Sequence, residues 1–278
     1  MATIDYLAIG HVTEDVWKDG RITPGGTVWF SSLAARRLVQ HVSVLTAAAP
    51  SYDAARFLPE IDVLRVDSPV TTQFENIYTP AGRTQFTRPS PVQLAPAHLT
   101  GEMQRAKIMH LAPVCDEVSP AFATTASDDV FIGVTPQGWL RRWDDTGRVS
   151  AKPWDSAHEI LARADAVVIS IDDVAGDWRL ALLWAAQARL FVVTQNKAGC
   201  ILFLNGEPIH VDTVPVDEVD PTGAGDIFAS TLFITLQRGV DPLKACAYAN
   251  CIAAQSVTRQ SLAGLPTPED LARCGTIL

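Results

Sequence analysis

Val219-Asp220-Pro221-Thr222-Gly223-Ala224-Gly225-Asp226 runs without a break into Ile227-Phe228-Ala229-Ser230-Thr231-Leu232-Phe233-Ile234-Thr235-Leu236. The second half is apolar almost all round, as in a helix buried on most sides, and Gly239 is placed to end it. The first half delivers a glycine turn onto the start of that helix. A helix start leaves backbone N–H groups without intrahelical partners, and Gly223 and Gly225 carry no side chain that would block an anion. Gly223, Ala224 and Gly225 therefore form a candidate anion hole. Asp226, at its mouth, is the candidate base that takes the proton of an alcohol as a phosphoryl group arrives. Because a helix N-terminus favours a charged carboxylate, a pKa close to the ordinary value of about 4 suffices for that task. Taken alone, the same residues also fit an aspartate that merely caps a helix after a tight turn.

Strand and helix signals alternate around this stretch. Residues 4–10 read as an apolar strand, 28–39 as an amphipathic helix and 42–47 as a second strand. The rhythm resumes after position 107, with strands at 108–112, 130–134, 166–170 and 190–194 and helices at 154–164 and 180–188. Repeated units of this kind predict a mostly parallel sheet with helices on both faces and ligands beyond the carboxyl ends of its strands. Asn205-Gly206, between two apolar runs, predicts a hairpin at the sheet edge. Thr267-Pro268-Glu269-Asp270 combines an N-cap, a proline at the first helical position and an acid three residues on, so it predicts a late helix.

Residues 61–87 behave differently. Phe74, Asn76, Tyr78, Gln85 and Thr87 alternate with other side chains around Pro80-Ala81-Gly82, which predicts two arms of a hairpin. Such a hairpin is either a lid at about residues 65–90 or an antiparallel edge of the main sheet. Its open edges want cover from the body or from a second subunit, so the hairpin is a candidate surface for homodimerisation. No linker divides the chain, and residues 1–278 read as a single domain.

Composition excludes several classes. The 278 residues carry 22 Lys and Arg against 31 Asp and Glu, a formal net charge of −9. Without a basic stripe to neutralise phosphates, nucleic acid is not an expected partner; Arg141-Arg142 is the densest basic spot. Apolar runs fall short of the roughly 18 residues that a spanning helix needs, so no membrane association is expected. Met-Ala-Thr-Ile-Asp-Tyr offers no basic flank before an apolar run, and a cytoplasmic location is the expectation. Five cysteines scattered without a CxxC pair predict reduced, mostly buried thiols and no disulfide. The dispersed histidines form no HExxH or other close ligand pair; His11, after the first strand, is the one placed to line a site.

Asp220-Pro221-Thr222-Gly223-Ala224-Gly225-Asp226 resembles the C-terminal signature of the ribokinase-like, or PfkB, carbohydrate kinases, usually written Asp-Thr-Thr-Gly-Ala-Gly-Asp, with Pro221 in the second place. The resemblance implies a three-layer α/β/α body with a mostly parallel central sheet and a small β lid. It also implies ATP-dependent transfer of the γ-phosphoryl group to a hydroxyl of a small-molecule sugar or polyol. In that likeness Asp226 is the base and Gly223, Ala224 and Gly225 the anion hole. Ile9-Gly10-His11-Val12-Thr13-Glu14-Asp15 resembles the first strand and its substrate-binding aspartate, Asp15. Pro24-Gly25-Gly26 resembles the glycine pair, Gly25 and Gly26, that lets substrate approach the backbone. Phe30 stands where that family usually has an asparagine.

On the donor side, Ser170-Ile171-Asp172-Asp173 stands where the family has Asn-x-x-Glu, which implies that Asp173 holds hydrated Mg2+ through water. Thr194-Gln195-Asn196-Lys197-Ala198-Gly199 resembles the nucleotide loop, with Thr194, Asn196 and Gly199 as nucleotide-binding residues and Asn196 in place of a glycine. Asn250, in Tyr248-Ala249-Asn250-Cys251, resembles a residue that faces the base; a satisfied, partly buried asparagine is the competing interpretation. The hairpin and Gly133-Val134-Thr135-Pro136-Gln137-Gly138 resemble the inositol-kinase-like branch, which makes Asn76 and Gln137 substrate-binding candidates beside Asp15. A nucleoside kinase of the same fold, and a catalytically silent nucleotide- or polyol-binding regulatory protein, are the alternatives. A dinucleotide oxidoreductase lacks its GxGxxG after the first strand.

Overall fold

The computed structural model describes residues 3–79 and 82–278. A nine-stranded sheet crosses the molecule in the order Glu207–Val211, Cys200–Leu204, Leu190–Thr194, Ala166–Ser170, Phe131–Val134, Ile108–Leu111, Tyr6–Ile9, Val42–Ala48 and Asp62–Asp67. From Leu190–Thr194 to Asp62–Asp67 every pairing is parallel. The other end turns antiparallel through Asn205 and Gly206, both at positive φ, as a primed hairpin turn demands.

Two apolar layers enclose this sheet. One carries helices Thr27–Ala35, Ala224–Gln237, Pro242–Ser256 and Pro268–Gly275. The other carries Ala121–Thr125, Ala157–Arg163 and Trp178–Ala185. A buried parallel sheet reads as continuous Val, Ile and Leu runs, which is why its central strands were legible. Helix Ala224–Gln237 lies under the central strands, with Phe233 fully buried against the rings of His110 and Phe131. Burying one such ring stabilises the fold by about 1.5–3 kcal/mol. Among the described residues, no helix is long and apolar enough to cross a membrane.

The hairpin Thr72–Thr79 with Gly82–Arg88 is antiparallel; the turn expected at Pro80-Ala81 falls on residues outside the described ones. It forms no edge of the main sheet. Thr72–Thr79 pairs in parallel with Thr13–Val16, which pairs with Ile22–Gly25, giving a separate four-stranded sheet. Neither of these short strands is among those predicted from sequence, because four-residue strands bearing Glu14, Asp15 and Pro24 show no apolar alternation. Sequence reading also began the hairpin unit too early, since Asp62–Asp67 belongs to the main sheet.

The cysteines require a correction. Cys251 and Cys274 form a disulfide, with Cα atoms 5.8 Å apart, while Cys115, Cys200 and Cys246 are free and buried. Helix Pro268–Gly275 packs back on Pro242–Ser256 and brings the two sulfurs together, and a 23-residue separation carries no sequence signal for that.

Candidate active site

Helix Ala224–Gln237 begins where the central strands end. Gly223 is its N-cap at φ 79°, with no side-chain capping bond. A Cβ added there would stand 2.3 Å from Cδ1 of Phe30, so the aromatic that replaces the expected asparagine packs on the glycine turn and supports it. Of the three candidate donors, Ala224 is corrected: its N–H donates to the Pro221 carbonyl at 3.2 Å, because the turn closes on itself there. Gly223 and Gly225 keep their N–H groups available among the described residues.

Asp226, in the first turn, sits deep in the cleft with part of its surface open to it. Burial, with the charge of Asp173 adding to it, pushes its carboxyl up to about 7; a hydrogen bond from Thr27 and the charge of Arg141 act in the opposite direction. An ordinary carboxylate pKa would have sufficed for a base, but the cleft raises it. Desolvation in the cleft outweighs the helix dipole.

On the candidate acceptor flank, Asp15 lies in strand Thr13–Val16 of the small sheet, and Gly25 lies in the strand paired with it. A Cβ on Gly25 would reach within 2.7 Å of Asp15 Oδ2, so only glycine admits that carboxylate. Gly26 follows at φ 91° as the N-cap of helix Thr27–Ala35, which carries Thr27 to Asp226. Asn76 accepts a hydrogen bond from Gln85 Nε2 at 3.0 Å across the hairpin. Gln137 donates through Nε2 to Asp173 Oδ1 at 2.9 Å, which joins a candidate acceptor residue to the candidate metal residue. Arg141 reaches the same space: its guanidinium lies 5.9 Å from the centroid of the Phe74 ring on the small sheet.

The candidate donor flank is a cavity of about 350 Å³. Ser170, Thr194, Asn196, Gly199, Gly225 and Asn250 line it together with an apolar shelf of Val214, Pro215, Val216, Ala253, Ala254 and Val257. All four candidate nucleotide residues therefore meet in one place. Asn196 holds φ 51°, so asparagine does serve in the left-handed turn where a glycine was anticipated. Asn250 behaves as the competing interpretation describes: its buried amide donates to the carbonyls of Val211 and Asp212 at 3.0 and 3.2 Å and fixes the loop at the cavity wall. Asp173 also caps the turn after Ala166–Ser170, accepting from the Ser170 N–H at 2.9 Å.

His11 lines no site; it is fully buried, with Nδ1 2.9 Å from Thr72 Oγ1. Sequence reading missed Thr27 and Arg141 as neighbours of Asp226. The adjacency of Thr27 to the glycine pair was an available clue, whereas Arg141 was weighed only as surface charge.

The description "pfkB family carbohydrate kinase" matches residues 157–269, a span that contains the glycine turn and Asp226. Over 116 residues the chain is 34% identical to the bifunctional protein HldE of Rhodopseudomonas palustris (strain BisB5), covering 41% of this chain and 23% of that protein. The chain thus spans less than a third of the length of the first curated relatives it matches. A pyrophosphate-dependent myo-inositol-1 kinase, converted by two substitutions into a myo-inositol-3 kinase, superposes with a TM-score of 0.81 at 18% identity over 98% of each chain. Arabidopsis thaliana ribokinase, complexed with ribose and ATP, superposes with a TM-score of 0.73 at 14% identity, covering 98% of this chain and 99% of that one. These structures share the fold throughout, and the match to the pfkB family carbohydrate kinases is confined to residues 157–269, the part of the chain that carries the glycine turn.

Proposed function

We propose that this chain is a kinase that transfers a phosphoryl group from ATP to a hydroxyl of a sugar or polyol, with inositols the first class to try. The observation that carries the reading is the position of Asp226, in the first turn of an uncapped helix whose Ala224 and Gly225 line the apolar-walled cavity, with Thr27 and Asp173 as its neighbours. The acceptor hydroxyl is held by Asp15, Asn76 and Gln137, whose paired donor and acceptor groups suit a ring of hydroxyls. Asp226 takes the hydroxyl proton as the oxygen attacks phosphorus. The N–H groups of Gly223 and Gly225 face the charge that develops on the transferring oxygens. The small sheet is the lid that keeps water from the attacking position.

Asp173 fits hydrated Mg2+ better than a directly bound ion. Each of its oxygens already accepts one hydrogen bond, which leaves lone pairs for water. Among the described residues, no group of three or more His, Cys, Asp or Glu is close enough to hold a metal directly. Asp173 would hold such an ion through water, and the chemistry it would supply is neutralisation of phosphate charge.

Pyrophosphate is the competing donor, since it is what a structural neighbour uses. The shelf of Val214, Pro215, Val216 and Val257 favours ATP, because a purine face gains from apolar contact and pyrophosphate has none to offer. An assay of the purified protein with ATP or pyrophosphate, each with Mg2+, across inositols, hexoses, pentoses and nucleosides tests both halves. Product mass and phosphate position identify the acceptor. A phosphorylated polyol formed only with ATP is the expected result. Turnover with pyrophosphate alone transfers the proposal to that donor, and ligand-dependent melting without product supports the silent regulator.

A further inference from the structure

Glu117 is a carboxylate at 1% exposure that no role described so far uses. It lies outside every strand and helix, after the loop that follows Ile108–Leu111. Its Oε1 accepts from the backbone N–H of His11 at 2.8 Å, and Oε1 and Oε2 both lie 3.0 Å from the N–H of Val114. Oε2 also accepts from the N–H of Cys115 at 2.6 Å. One side chain thus ties two segments 100 residues apart in sequence, and each leads into the acceptor flank.

The first segment is the crossing from the main sheet to the small sheet. His11 is two residues before strand Thr13–Val16, which carries Asp15. The opposite side of this crossing is closed by Gly26, where a Cβ would stand 2.9 Å from the His11 carbonyl oxygen. The second segment, Pro113 to Cys115, has two tasks. Val114 and Cys115 form an apolar seat for Phe74 of the small sheet. The Pro113 carbonyl accepts from Gly138 N–H at 2.9 Å, next to Gln137.

We propose that Glu117 is a positioning residue for the acceptor: it fixes, as one unit, the strand that carries Asp15, the seat of the small sheet and the turn that carries Gln137. A buried carboxylate is a strong acceptor for several converging N–H groups, and no neutral side chain offers as many lone pairs in that space. The proposal rests on the kinase reading for its kinetic consequence but not for its structural one. None of the residues it ties lines the donor cavity.

The test uses Glu117→Gln, which keeps the shape but turns an NH2 toward backbone donors, with Glu117→Asp as the variant that retains the charge. Amide hydrogen exchange is read in the ligand-free full chain. Exchange at His11, Val114 and Cys115 should accelerate ~tenfold or more in Glu117→Gln, with Leu190–Thr194 unchanged and with partial recovery in Glu117→Asp. With myo-inositol and ATP as probes, the KM for myo-inositol should rise ~tenfold while the KM for ATP stays within about twofold. Unchanged exchange at the three amides overturns the proposal whatever the activity. Equal acceleration across the whole main sheet, or equal rises in both KM values, reduces Glu117 to a general stability role and also overturns it. A wild-type protein that phosphorylates neither myo-inositol nor any other acceptor of the panel defeats the kinase reading alone, and the exchange data then decide the clamp.

Discussion

Three late helices of one apolar layer begin in different ways. Pro242–Ser256 starts behind Asp241, whose carboxylate accepts from the N–H groups of Leu243 and Lys244 at 3.0 and 3.2 Å. Pro268–Gly275 starts behind Thr267 in a reciprocal capping box with Asp270. Ala224–Gln237 starts behind Gly223 with no side-chain cap, although Asp226 occupies the place from which a capping acid reaches back. A missing cap costs about 1 kcal/mol, and what it leaves is a set of N–H groups free for an anion. The contrast separates helix starts built for stability from one whose donors and carboxylate are held for a ligand.

The largest effect belongs to Asp226. Asp226→Asn should lower kcat by ~10²–10⁴-fold with ATP affinity nearly unchanged, read by steady-state kinetics and calorimetric titration. Retention of more than a tenth of kcat would return Asp226 to the class of ordinary caps. The same variant should behave oppositely in stability. A carboxyl raised to about 7 binds its proton more tightly in the folded than in the unfolded chain. Stability is therefore lost as pH rises from about 4 through 7. Asp226→Asn removes that cost, so its Tm should exceed the wild-type value at pH 8 and converge with it near pH 4. A true cap would show the reverse, with substitution lowering Tm at neutral pH.

A pH–rate profile sharpens the point. If Asp226 acts as the base, wild-type kcat/KM should rise through a limb centred near pH 7, where burial places its ionisation. A limb near pH 4 would mean that the free enzyme solvates this carboxylate as well as any surface aspartate, and that the helix start differs from its neighbours only in lacking a cap.

Gly223→Ala comes next in size. At φ 79° an L side chain costs about 1–2 kcal/mol, and the added Cβ runs into the Phe30 ring. Thermal melts should show a loss of about 2 kcal/mol or more. Phe30→Leu in the same chain should recover the part due to overlap and leave the part due to φ. A loss of activity in Gly223→Ala that persists when Tm is recovered would locate the fault in the displaced N–H groups rather than in the fold.

These tests also mark what could be read from sequence. The glycine turn, the buried helix behind it and the parallel strands were legible because each writes a local pattern: two glycines before an apolar run, and Val- and Ile-rich strands buried on both faces. Asn196 and Asn205-Gly206 were legible through backbone sterics alone. The extent of the small sheet was not, because Thr13–Val16 takes its parallel partner from the distant Thr72–Thr79, Ile22–Gly25 joins the sheet only through Thr13–Val16, and neither strand shows a period of its own. Glu117, Arg141 and the Cys251–Cys274 pair were invisible for the same reason: their meaning lies in which distant segment they meet. The pKa of Asp226 was hidden for a different reason. Its position on a helix start was correctly read, but the balance between dipole and desolvation depends on the cleft walls supplied by Asp173, Thr27 and Arg141.

The smallest expected effect is the control on the whole comparison. Thr267→Ala removes the hydroxyl that accepts from the Asp270 N–H at 3.2 Å, at a helix start that lines neither flank of the site. The loss should be about 1 kcal/mol, read as a lower Tm, with kcat and both KM values unchanged. Asp270 limits the damage, since its carboxylate also accepts from Arg259 at 2.6 Å and stays anchored when the hydroxyl goes. A Thr267→Ala chain that keeps its Tm would show that the Arg259 contact, the remaining backbone bond to Asp270 and the disulfide hold this helix without the Thr267 hydroxyl. A chain that loses activity in step with Tm would mean that the disulfide-linked helices Pro242–Ser256 and Pro268–Gly275 pass disorder on to Ala253 and Ala254 in the donor wall, so that stability and function are not separable at the helix starts of this layer.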